Sequence, residues 1–166
     1  TLTQNAEGDA EMRTVMNGMS IDSPQGVVQT HGETHVDFFF EDGAIARAEF
    51  SAPTLDYIVS VGATTVHAQG ASSQVLYDAA GNVRQFTASA EDFRYTSTGS
   101  NSRPVDLRFA DSSLTVESLD GAGQSFAFTS GEGVLNIDGH TVSVDALDRA
   151  NITTGADGKI TALDVL

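Results

Sequence analysis

The residues best equipped for chemistry are His31, Glu33, His35 and Asp37, in the stretch THGETHVD at residues 30–37. At alternate positions of a strand they would share one face. Imidazoles and carboxylates together are a donor set for zinc or a similar ion. Same-face neighbours on a strand stand about 7 Å apart. Adjacent histidines could therefore converge on one ion, but four groups on a straight strand could not. Val36, Phe38 and Phe40 point the other way, so the polar face reads as solvated and no metal is assigned to it. A pH-sensitive contact is the other reading, because histidine titrates near neutrality.

Other chemical patterns are weaker. TTGADGKITALD, Thr153 to Asp164, has the outline of a calcium loop, with Gly158, Ile160 and Asp164 in the expected places. Its first and third positions are Thr153 and Gly155, where carboxylates or amides are needed, so a hairpin turn at Asp157-Gly158 is the better account. The acid pairs Glu41/Asp42, Glu91/Asp92 and Asp145/Asp148 could serve general acid–base work. They sit at turns or on polar faces, where they act as solubilising charge. His67 and His140 stand isolated in sequence. There is no nucleophile elbow, phosphate loop or HExxH helix. The chain is therefore read as non-enzymatic, with no catalytic residue and no cofactor.

Composition narrows the classes further. Of 166 residues, 8 are Lys or Arg and 23 are Asp or Glu, a formal net charge of −15. Such a charge argues against binding nucleic acid, which needs cations against phosphate, and against docking on anionic lipid surfaces. With no cysteine, disulfides and thiolate-held metals are excluded. No apolar run approaches the roughly 20 residues that cross a bilayer, so no membrane span is expected. The Thr1-to-Met19 stretch is polar and acidic, without the cationic start and apolar run of a signal peptide. The acidic, Thr-, Ser- and Gly-rich, cysteine-free composition suits an exported protein.

The elements that must position these residues are mostly strands. Ala10, Met12, Val15, Met16 and Met19 fall on a 3.6-residue stripe, which predicts a short N-terminal helix. A loose N-terminus with a late strand at Met19–Ile21 is the alternative. Beyond Val27 the period is two. Val36-Phe38-Phe40, Val105-Leu107-Phe109, Leu114-Val116, Phe126-Phe128 and Val142-Val144-Ala146 each alternate with polar partners. Turn signals separate them: Glu41-Asp42-Gly43, Ala80-Gly81-Asn82, Asp120-Gly121, Asp138-Gly139 and Asp157-Gly158. The Ser97-to-Pro104 stretch reads as a loop, too short for a domain boundary. The prediction is an all-β, antiparallel meander forming a β-jellyroll, roll or sandwich. Residues 1–26 form an N-terminal extension or short helix, and 27–166 a single all-β domain. The strand-borne rings either seal a core between two sheets or line an open apolar trough.

Phe50-Ser51-Ala52 followed by Leu55 and Tyr57 echoes Phe86-Thr87-Ala88 followed by Phe93 and Tyr95. A third version is Phe128-Thr129-Ser130 followed by Val134–Ile137. Repeated strand pairs suggest a stacked, elongated β structure. VLYDAAGNVRQFTASAEDFRY, then a Pro104-initiated strand, then SFAFTSGEGVLNIDGHTVSV, resembles the periplasmic lipopolysaccharide-transport proteins, the OstA-like β-jellyroll family. The resemblance runs from Gln74 to Thr154, about half the chain.

What the resemblance implies is a periplasmic module that binds or conveys an acyl-chain lipid such as lipopolysaccharide. Phe86, Phe93, Tyr95, Phe109, Phe126 and Phe128 would line its apolar trough, and exposed edge strands would pair with further copies or partner proteins. The alternative is a structural or adhesive surface, filament or phage subunit that assembles through its β edges.

Overall fold

The computed structural model describes residues 1–4, 9–59, 63–98, 104–119, 123–155 and 159–165. The Asp120-Gly121 and Asp157-Gly158 turns, and most of the 97–104 loop, lie outside the described residues. The elements are β1 (Leu2–Gln4), β2 (Ala10–Ser23), β3 (Gly26–Glu41), β4 (Ala44–Val59), β5 (Thr64–Tyr77), β6 (Val83–Ser97), β7 (Val105–Leu119), β8 (Gly123–Ser130), β9 (Gly133–Ile137), β10 (His140–Val144), β11 (Leu147–Gly155) and β12 (Ile160–Val165). They form one antiparallel sheet in the order β1 to β8, then β11 and β12, with β9 and β10 branching from β7. The sheet does not close. The all-β meander read from the sequence is what the chain forms, and its shape is consistent with a jellyroll or sandwich.

Turn chemistry follows the sequence. Asp42-Gly43 has φ of 50° and 78°, and Asp138-Gly139 has 54° and 81°, the doubly left-handed geometry of tight hairpins. At the third turn the Asp78 carboxylate accepts the backbone N–H groups of Ala80 (2.9 Å) and Asn82 (2.8 Å). The Asn82 side-chain amide, with those backbone bonds, holds the Asp78 pKa below the ordinary value.

One element differs in kind. No helix is present among the described residues, and the Ala10–Met19 segment lies within β2, paired with β3 from Ala10↔Phe40 to Ser23↔Gly26. The register shifts between Asn17 and Met19, at Gly18 with φ 86°. Met12 and Met16 share a strand face, and the bulge brings Met19 back to it. A strand with one bulge has therefore produced the i, i+4, i+7 spacing of a helix.

Residues Val105–Phe109 and Leu114–Ser118, read as two strands, are halves of the single strand β7. They meet at Asp111, whose φ is 44°. Similar kinks lie across the sheet. Gly32 in β3 (φ 83°) lies against Pro53 in β4, Gly70 in β5 (φ 59°) against Glu91 in β6, and Gly131 against Ala110. Register places Pro53 opposite Gly70 and Glu91 opposite Asp111. This row is a crease running through successive strands.

The bend at the crease is sharp. Thr34 Oγ1 donates a 2.8 Å hydrogen bond to Thr30 Oγ1 on the same strand. Four residues of straight strand would span about 13 Å. Past the crease β7 takes different partners for its two halves, β9 for Val105–Phe109 and β8 for Ser113–Leu119. The result is two arms, a long one ending in β11–β12 and a short one ending in β10.

Every buried side chain among the described residues is small. They are Thr30, Thr34, Ala52, Ala68, Ala71, Ala90, Ser112 and Ser130, all beside the crease. Larger groups would not fit inside so tight a fold. Leu55 and Phe93 pack against the Ala68, Ala71 and Ala90 cluster. The repeat in structure is thus Ser-Ala-x-x-Leu/Phe-x-Tyr, at residues 51–57 and 89–95, with Ala52 matching Ala90. The sequence echo aligned on Phe50 and Phe86 is offset from this repeat by two residues, since it matches Ala52 to Ala88.

Candidate functional site

Cross-strand partners share a face, so register assigns each ring. One row reads Leu2, Met12, Phe38, Ala48, Val75, Phe86, Val116, Phe126, Ile152 and Leu163. It crosses the whole long arm and is apolar at every position. The next row on that face is Thr14, Val36, Phe50, Ser73, Ala88, Leu114, Phe128, Ala150 and Val165, apolar except at Thr14 and Ser73. Beyond the crease, Leu55, Ala68, Phe93 and Phe109 form a row, and Val28, Tyr57, Val66, Tyr95, Leu107, Leu135 and Val142 another.

All six rings expected to line an apolar surface, Phe86, Phe93, Tyr95, Phe109, Phe126 and Phe128, therefore lie on the inner face of the bent sheet. Each is half-buried. Phe109 of the short arm meets Phe128 of the long arm edge-on, with ring centroids 5.8 Å apart and planes at 67°. A side chain at Gly133 would overlap the Phe109 ring, so the bare backbone there makes room for it. This pair joins the two arms across the crease.

The inner face is not a sealed core. The largest fully buried side chain among the described residues is Thr34. The chain exposes 10466 Å² of surface, where a compact monomer of 17.4 kDa would expose about 7,900 Å². Clefts lie on the other side of the sheet. One of about 530 Å³ lies at the turn end of the long arm, with Phe39, Arg47, Leu76 and Arg84 in its wall. The Arg47 guanidinium there stacks 3.8 Å from the Phe39 ring centre.

The outer face is mostly polar, with Val15, Phe39, Ile58 and Leu76 among its apolar exceptions. His35, Ser51, Ser72, Ser89, Ser113 and Thr129 form one row across six strands. Ser72–Ser89 and Ser113–Thr129 are hydroxyl pairs at 2.7 Å. Residues 30–37 do not assemble a metal site. Gly32 breaks the alternation, His31 turns to Asp56 (3.2 Å), His35 to Glu33 (3.0 Å) and Asp37 to Arg13 (3.3 Å). No group of three metal-ligating side chains converges among the described residues.

His67, isolated in sequence, is not isolated in space. Its Nδ1 lies 2.6 Å from Asp56 Oδ1, so Asp56 sits between His31 and His67. No local spacing could have revealed this, because the three residues come from three strands. Beside them Arg94 grips Asp106 with two bonds (2.9 and 2.7 Å), and Arg108 grips Asp92 in the same way. The guanidinium bonds hold the Asp92 and Asp106 carboxyls below the usual carboxylate range.

Comparison with protein-family models, with curated proteins and with solved structures returns no match.

Proposed function

We propose that this chain is a non-enzymatic, periplasmic or extracellular β-module that binds or conveys an acyl-chain lipid such as lipopolysaccharide along its inner face. The observation that carries this reading is an apolar row across the long arm, on a face whose rings are half-buried, with no large side chain fully buried among the described residues. Each ring retains surface that an acyl chain would cover, at about 25 cal/mol per Å² of apolar area. Phe86 and Phe126 would line the long arm, Phe93 and Tyr95 the short arm, and Phe109 and Phe128 the junction. The chain's resemblance to the lipopolysaccharide-transport family from Gln74 to Thr154 points the same way. The mostly polar outer face, at net charge −15, would keep the loaded protein in water.

The test is uptake by delipidated protein. Stoichiometric retention of lipopolysaccharide or a fluorescent fatty-acyl probe is expected. Protein that keeps its β-sheet spectrum and takes up neither would overturn the proposal.

A further inference from the structure

We infer that copies of this chain associate head to tail, β12 of one pairing antiparallel with β1 of the next. The inference stands independently of the lipid reading. The apolar row of the long arm starts at Leu2 and ends at Leu163. These residues are 70% and 65% exposed, so one ladder is left unfinished at both edges. Ile160 and Val165 on the same edge strand are also exposed, and β12 has β11 on one side only.

Strand direction fits the junction. The path from β1 to β12 contains ten strands, each antiparallel to its neighbour. With an even number, β12 runs opposite to β1, so the next copy's β1 continues the alternation. Setting Leu163 opposite the next copy's Leu2 extends the row without a break. Thr3 and Ala162 then meet on the outer face, where each already lies. The occupant is a second copy of this chain because the two edges complete each other in face, polarity and direction. The contact is heterologous, so it propagates as an open series and does not close as a dimer.

Leu163→Lys and Leu2→Lys test this, since both positions are exposed and lysine on an edge strand blocks pairing. In sedimentation over rising concentration, the parent chain should grow past dimer. Each variant alone should remain monomeric with an unchanged β-sheet spectrum. Mixed together they should form a one-to-one dimer and stop, because each keeps the edge the other lacks. A monomeric parent at every concentration, assembly that survives both substitutions, or a mixture that stays monomeric would each overturn the inference.

Discussion

Thr34 and Thr30, four residues apart on β3, share a 2.8 Å hydrogen bond with both residues buried, at 0% and 3% exposure. Hydroxyls so placed can meet only if the strand folds on itself at Gly32. That fold, repeated in neighbouring strands, turns a flat meander into two arms with an apolar inner face.

The threonine pair should be measurable in stability. Thr34→Val leaves the Thr30 hydroxyl buried without this partner and should cost about 1–3 kcal/mol. Thr30→Val together with Thr34→Val should cost less than the sum of the two, since no hydroxyl is then stranded. Urea midpoints of the four proteins close the cycle. Fully additive losses would mean the hydroxyls do not interact.

The crease predicts opposite responses to two substitutions at one position. Asp111 holds φ 44°, a conformation glycine adopts freely. Asp111→Gly should change stability by less than about 1 kcal/mol, because relief of strain offsets lost chain stiffness. Asp111→Val, β-branched, should lose about 1–3 kcal/mol. Equal effects from Gly and Val in thermal melts would place no bend at this residue.

Acid should loosen the short arm. Asp92 and Asp106 have folded-state pKa values depressed by Arg108 and Arg94. Their contribution is therefore complete above the unfolded-state value of about 3.9. It is lost as pH falls through the lower folded-state values. A denaturation series from neutral pH downward should be level until about pH 4 and then decline. Asp92→Asn with Asp106→Asn should flatten the decline and lower the plateau. An unaltered acid limb in that variant would assign acid sensitivity to other carboxylates.

The strands were legible because a two-residue period is local: Val36-Phe38-Phe40 and Phe126-Phe128 alternate whatever surrounds them. Hairpins at Asp42-Gly43 and Asp138-Gly139 were legible because left-handed turns restrict residue choice. The crease was not. Gly32, Gly70 and Asp111 resemble ordinary turn residues, and only register shows that they align. The same bulge logic disguised β2 as a helix through Met12, Met16 and Met19. Alternation alone puts Phe86 on one face of β6 and Phe93 and Tyr95 on the other; only the crease between them brings all three to the inner face, and their half-burial depends on how far the arms stand apart, which no local pattern encodes. The Asp56 bridge between His31 and His67 was invisible because its members are distant in sequence.

The proposed lipid surface is the inner face. The most direct measurement compares fatty-acyl probe binding by Phe86→Gln with Phe126→Gln, on the inner face, and by Thr87→Gln with Ala127→Gln, one residue away on the outer face. Retained β-sheet spectra serve as the folding control. Loss of binding in the inner pair alone is the predicted result. Equal binding by both pairs and the parent, or no binding by the parent, would contradict the account.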